Sequence, residues 1–563
     1  MNFKKSKKWM TCFAVLLGLN LSAQQEQPEI KKEDVVVEFS FNPTLSNVFK
    51  LKSIPNPTEE FPKKTVQYQI NSKEVASDFV PVAKKAVYVP IEKDQAKQYS
   101  SYVYGAYGLY GNGEFELMFR PEASRSGYQY GIDLSSYNAQ NGIDDERVAN
   151  GQWNAGAELF LSKQNRYSDW IARVNYQRNQ THWYGLDANV PETNYQQADV
   201  QQLYNKVDVS VEMSYQKAIV ESIRPSIQLF SDAFDSSEAN IQIATSFNKS
   251  MLADLIALDV DFQYLNGSFE QGYSSPQVVN YSFINAGITP KYNYQSDYFQ
   301  LSAALGLFVN LDQEASKSNF VFLPKVQIDF PLVDEIMVLH GGIRSQLNQH
   351  TYASLSKENP WISPTQNIQT TRVPVDVFVG LDGKLTKTTT YAAEVSYQQA
   401  KDYRLFVNNT VVLSNPKAYE MGNSFTALYD DLSVFSFKGS VETNFVEKVT
   451  GGLSAAFNSY QTDQQDEAWN LPSFELETYV NYTYQKFFSQ LGINYIGARK
   501  DFVNAATTTV DGFLDLNLKS NYAISNRFHV HLNLYNLFNN QYQSYQNYQV
   551  QGLQAVGGLS YKF

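Results

Sequence analysis

His529 and His531 stand two residues apart in Phe528-His529-Val530-His531-Leu532. On an extended strand that spacing puts both imidazoles on one face, where they could share a metal ion. A metal site needs further ligands, and the sequence places none beside them. The competing reading is a pair of polar residues lining a barrel interior. His182, in Thr181-His182-Trp183-Tyr184-Gly185, sits among aromatics and suits packing. Carboxylates cluster at Asp144-Asp145-Glu146 and at Asp463, Asp466 and Glu467. Loop carboxylates can hold calcium, but neither spacing resembles a dedicated calcium loop, so solvated acidic loops are expected. The chain shows no glycine-rich phosphate loop and no Gly-x-Ser-x-Gly elbow. No catalytic residue, cofactor or metal site is therefore assigned, and the chain is not expected to be an enzyme.

The elements that carry these residues follow from composition. Of 563 residues, 45 are Lys or Arg and 57 Asp or Glu, a net charge of −12. A net acidic chain lacks the footprint of a nucleic-acid binder. Cys12 is the single cysteine, which excludes an intramolecular disulfide. Aromatics make up 14% of the chain, too many for disorder. No stretch of the mature chain approaches the roughly 18 apolar residues of a membrane-spanning helix.

Met1–Ala23 reads as a secretory signal. Lys4, Lys5, Lys7 and Lys8 form a basic start, Trp9–Leu21 a short apolar run, and Leu21-Ser22-Ala23 a small-residue cleavage site. Cys12 lies inside the apolar run, so lipidation is not expected. Removing the four lysines takes the net charge from −12 to −16.

Residues 24–98 differ from the rest. They hold Pro28, Pro43, Pro55, Pro57, Pro62, Pro81 and Pro90, seven of the 19 prolines, with frequent lysines. Proline fixes φ and cannot donate to a ladder, so an extended periplasmic or luminal segment is expected.

From Tyr99 to Phe563 one pattern repeats. Val207, Val209, Val211, Met213 and Tyr215 alternate with Asp208, Ser210, Glu212 and Ser214. The runs at 153–161, 372–381 and 528–535 do the same. Period two means strands with one apolar and one polar face. A soluble sandwich also alternates, but these 465 residues run on without a linker, beyond the size at which cores divide. Short turns such as Gln485-Lys486 and 524–526 alternate with long polar connections at 138–151, 414–431 and 462–472. Aromatics such as Tyr482, Tyr484, Phe487 and Phe488 gather at run ends. Together these predict an all-β, transmembrane antiparallel barrel of 16 to 22 strands, each near ten residues long, in an outer membrane. His529 and His531 are then candidate lumen-facing residues.

Leu559, Tyr561 and Phe563 share one face of the last run, and the chain stops on the aromatic. Such a strand is expected to be the signal read by a barrel insertion machinery. Leu514-Asp515-Leu516-Asn517-Leu518, then Tyr535-Asn536-Leu537-Phe538-Asn539-Asn540-Gln541-Tyr542, then Gly557–Phe563, together resemble the C-terminal part of TonB-dependent receptors. The resemblance covers about 50 residues and implies a barrel lineage rather than a particular activity. It implies nutrient transport, with lipid, the insertion machinery and the TonB complex or a surface lipoprotein as partners. The roughly 75 residues before the barrel are too few and too proline-rich for that family's globular plug. Val35, Val36 and Val37 are a candidate TonB contact by edge-strand pairing. Residues 41–50 resemble the leading segment of a plugless group of such barrels. A non-transporting scaffold barrel in a multiprotein complex is the alternative. Loops rich in Asn, Gln, Ser and Tyr, as at 194–204 and 542–548, lean towards a carbohydrate ligand, since Tyr and Trp can stack on sugar rings, although such rings also contact peptides.

Overall fold

The computed structural model describes residues 99–563 apart from 123–126, 141, 144–146, 197, 253–255 and 334–335. The signal sequence, residues 24–98, the Val35–Val37 stretch and the cluster Asp144-Asp145-Glu146 lie outside them. Among the described residues no helix is long and apolar enough to cross a membrane, a statement that bears on helices alone.

Alternation fixes the fold because each strand has one face for lipid and one for the interior. Consecutive strands pair antiparallel, and the first, Tyr102–Gly108, pairs with the last, Gln554–Lys562. The result is a closed barrel of 22 strands, the upper end of the expected range. Closure satisfies every strand edge, which a sheet in lipid requires. One wall position is shared by Met337–Ile343 and Gln346–Gln349, interrupted at Arg344-Ser345. Phe320, Phe322, Phe330 and Leu332 are exposed on the outer face of strand Lys317–Val333. Lys325, Gln327 and Asp329 of the same strand line the interior.

Strand length departs from the expected ten. Tyr102–Gly108 has 7 residues, whereas Thr389–Asn408 has 20 and Phe425–Val446 has 22. The longest strands rise beyond the apolar belt into the loop region, where a soluble environment favours polar residues on both faces. Phe425–Asp431, read as part of a polar connection, is accordingly strand. Its Asn, Ser and Asp neighbours masked the period.

The seam is tight. A Cβ on Gly108 would press on the Ala555 carbonyl oxygen and lie 2.7 Å from Val556 Cα. Gly108→Ala is expected to force the closing pair apart, at or above the upper end of the ~1–3 kcal/mol of overpacking. Heat-modifiability on a gel is the measurement: the folded form should be lost at a clearly lower temperature. Inside the seam, Glu114 accepts hydrogen bonds from Tyr104 Oη at 2.6 Å and Tyr535 Oη at 3.1 Å.

Candidate functional site: a capped lumen

The long connections all leave the same end of the barrel, and they fold over it. Trp183, Tyr352, Tyr548, Met421, Phe425 and Ile362 are at most 0% exposed, and Trp361 and Trp469 only 2%. These residues come from five different connections and the strand ends beneath them. Trp361 stacks on Tyr548 with centroids 4.0 Å apart, and Tyr184 meets Tyr548 edge-on at 4.8 Å. Tyr352 is surrounded by Phe230, Phe269 and Tyr204 in edge-to-face contacts. Such pairs add to the free energy of area burial, so the loops form a core of their own.

Backbone polar groups in this cap are satisfied by side chains, as burial demands. Glu238, at the loop end of its strand, accepts from the Tyr352 and Ala353 amides at 2.5 and 3.1 Å and from Tyr281 Oη at 2.8 Å. It thereby anchors helix Tyr352–Glu358, whose first turn is closed by a reciprocal Thr351–Ser354 capping box. Asp232 accepts from Tyr352 Oη at 2.7 Å and from the Phe234 and Ser236 amides. Gln366 joins the 359–369 stretch to strand Phe425–Val446, donating to the Phe425 carbonyl and accepting from the Ala427 amide. Asn423 donates to the Trp183 carbonyl at 2.8 Å, and Tyr184 Oη to the Gln549 carbonyl at 2.9 Å. Three successive amides, of Asp463, Gln464 and Gln465, donate to the Asp430 carboxylate. That contact gives the acidic stretch at 463–467 a structural role.

Two further groups sit in the hairpin Arg499–Val503 with Ala506–Val510, which projects from the wall into the cap. Arg499 donates to the Ser544 carbonyl at 2.7 Å and the Gln543 carbonyl at 3.2 Å. Asp501 is fully buried and accepts from the Asn408 and Phe502 amides through Oδ1. Its Oδ2 has no hydrogen-bond partner, nor has Asn470 Oδ1 beside it. Burial pushes the Asp501 carboxyl up to about 6, against the pull of Asn470, those amides and Arg499.

Beneath the cap lies a cavity of about 2580 Å³. It runs from Asn470, Leu471, Pro472 and Tyr545 under the cap to Ser296–Phe299 in a short turn at the opposite rim. Its wall mixes apolar side chains such as Phe262, Phe308 and Leu323 with polar and charged ones. Arg344, at the interruption, keeps its amide on the Asp376 carbonyl at 2.7 Å, while its guanidinium donates to the Asp376 carboxylate at 3.0 Å and to Glu394 at 2.7 Å and lies over the Phe378 ring. His340 pairs with Asp382 at 2.8 Å. Sequence reasoning singled out none of these, because single charges on polar faces look alike until register brings them together.

The residues it did single out lie elsewhere. His529 and His531 alternate with the exposed Val530 and Leu532, with ring centroids 6.5 Å apart. His531 hydrogen-bonds Ser560 at 2.8 Å and meets Tyr104 edge-on; His529 bonds Asn521. Their nearest partners are thus hydroxyl, phenol and amide groups. Among the described residues no group of three His, Cys, Asp or Glu is placed to hold a metal ion. His182 is buried, its Nδ1 2.5 Å from the Gly151 carbonyl oxygen. Leu559, Tyr561 and Phe563 are exposed on the outer face of the last strand. The lean towards ring stacking on a loop ligand is corrected for Tyr204, Tyr545 and Tyr548, which are buried in the cap rather than presented by it.

The chain thus folds as a closed 22-strand antiparallel barrel whose long connections meet over the lumen. Solved structures bear this out. The FrpB iron transporter from Neisseria meningitidis (F3-3 variant) superposes with a TM-score of 0.62 at 10% identity, covering 83% of this chain and 82% of that one. The copper transporter OprC gives 0.58 at 11% identity, covering 83% and 81%. The ferric-catecholate import receptor Fiu from K12 E. coli gives 0.58 at 11%, covering 83% and 82%. At such identities the likeness is one of fold. No family model and no curated protein matches the sequence.

Proposed function

We propose that this chain is a transport or receptor barrel of the Gram-negative outer membrane that takes up a nutrient. The observation that carries the reading is the capped lumen: a charged passage of about 2580 Å³ closed at one end by loops. A barrel of this width left open would be a large leak, so a built-in closure fits a gated conduit. The long connections face outward and the short turns the periplasm, as in outer-membrane barrels generally. The structural neighbours are transporters and receptors of iron, copper and siderophores, which supports this class of function without naming a solute. Val35–Val37 is the proposed coupling contact with TonB.

One observation favours a second reading. The loop aromatics are spent on packing the cap rather than offered to a ligand, which suits a scaffold barrel that binds proteins. Purification from the native outer membrane in mild detergent, with mass spectrometry of what accompanies the chain, separates the two. TonB-complex components or a surface lipoprotein support transport, and removal of residues 24–40 should then abolish uptake. Stoichiometric recovery with another barrel or with assembly factors would overturn it.

The exposed column Leu559, Tyr561 and Phe563 is proposed as the insertion signal. Deleting Phe563 is expected to lower the amount of heat-modifiable barrel in the outer membrane about tenfold, a factor equivalent to about 1.4 kcal/mol. An unchanged amount would remove that assignment.

A further inference from the structure

The outer face of the barrel carries a patch that hydrocarbon alone does not suit. Trp153 lies between Asn138 and Gln180 of the neighbouring strands, and one row further from the loops Ala155 lies between Ser136 and Arg178. Side chains two apart share a face, so these belong with the exposed Leu159, Leu161, Val174 and Tyr176 on the lipid side. Interior cations such as Lys206 and Arg344 are matched by acids. Arg178 is not. Among the described residues it forms no ion pair, its Nε has no hydrogen-bond partner, and its guanidinium lies 5.8 Å from the centroid of the Trp153 ring.

Height places the patch. Down strand Gln152–Gln164 the opposite belt is reached at Lys163, whose amine lies over the Tyr128 ring. Ten residues at about 3.3 Å each, tilted by about 40°, span roughly 25 Å, the height of the apolar band. Trp153 and Arg178 therefore stand at headgroup level on the loop side, where an arginine costs little. Beside Trp153 is a pocket of about 340 Å³ lined by the amides of Asn138, Gln140, Gln152 and Gln180. Amides offer the donors and acceptors that hydroxyls need, and a flat ring suits the face of a sugar. Trp153 Nε1 donates to Ser136 Oγ at 3.0 Å, which fixes the ring. On the membrane side, Ala155 and the Ala157 between Leu134 and Tyr176 leave room for an acyl chain. Sugar, anion and hydrocarbon are three demands that one molecule can meet.

We propose that Trp153, Arg178 and the amides beside them bind a phosphorylated glycolipid of the outer leaflet, with a sugar on the Trp153 ring, a phosphate on Arg178 and acyl chains along Ala155 and Ala157. The site rests on the orientation above, with the long connections outward, and holds whether the barrel transports or scaffolds. Binding in detergent is read without uptake or partners, so the site and the transport reading can fail separately. The full-length protein from its native outer membrane is stripped of lipid in mild detergent and titrated with the purified phosphorylated glycolipid of that membrane. Native mass spectrometry counts the bound lipid. One glycolipid per chain is expected, and Arg178→Gln and Trp153→Leu should each weaken binding about tenfold with heat-modifiability retained. Dephosphorylating the glycolipid tests the arginine without any substitution: affinity for the parent chain should fall by a similar factor, and for Arg178→Gln no further. Equal affinity in the parent and both variants, or no effect of dephosphorylation on the parent, would overturn the proposal. Displacement by inorganic phosphate or phosphatidylglycerol at the glycolipid's own concentration would overturn it too, since neither carries a sugar.

Discussion

Replacing Trp361 and Tyr548 together by alanine is expected to open the loop cap while the barrel stays closed. The two rings are stacked at 4.0 Å and neither is more than 2% exposed. Removing a large aromatic from a core costs about 3–5 kcal/mol, and neighbouring losses add incompletely. Every ~1.4 kcal/mol shifts a local opening equilibrium tenfold, so opening should rise by a hundredfold or more. Trypsin reads this directly. Lys357 is exposed, but its peptide bond belongs to helix Tyr352–Glu358 and is held by the cap. In the double variant cleavage after Lys357 should become rapid, with heat-modifiability of the barrel retained. Slow cleavage, as in the parent chain, would mean that the stacked pair does not hold the cap.

The second large effect is on pH dependence. Asp501 has no exposed surface, and burial raises its carboxyl from 3.8 to about 6. A carboxyl raised on folding favours the protonated state, so its contribution is full below about 3.8 and is lost as pH rises through about 6. A proton on Oδ2 would give that buried, unpartnered oxygen a hydrogen to share. Two pH units correspond to about 3 kcal/mol, an upper figure for the difference between pH 4 and pH 7.5. Trp469, packed 5.4 Å from Phe502, reports on this hairpin by fluorescence. The thermal transition of that signal should fall from pH 4 to pH 7.5 in the parent chain. Asp501→Asn, which keeps the acceptor and supplies a permanent donor, should raise the transition at pH 7.5 and flatten the dependence. A variant as pH-sensitive as the parent would place the titration elsewhere.

Particular elements show what could be read from the residues. The run Val207–Tyr215 announces its strand because lipid and lumen impose opposite demands on alternate positions. The same demand does not apply above the membrane, and there the reading failed. Phe425–Asp431 looked like loop, and Tyr204, Tyr545 and Tyr548 looked like ligand-facing rings, yet all belong to the cap or its supports. A core assembled from several loops has no period. Tyr184 and Trp361 lie 177 positions apart in the chain, and only tertiary structure brings both onto Tyr548. The one local hint was Trp and Tyr density in connections that water alone would fill with Ser, Asn and Asp. The ion pairs of Arg344 were equally hidden, because they depend on the register between strands around an interruption.

The account stands or falls on whether the cap faces outward and shuts the lumen. Leu413→Cys, at an exposed position on the cap, and Ser454→Cys, in the cavity wall, are exposed separately on intact cells to a membrane-impermeant maleimide. The account predicts rapid labelling at Leu413→Cys and none at Ser454→Cys over the same interval. Labelling of both at similar rates would show an open outer mouth and contradict it.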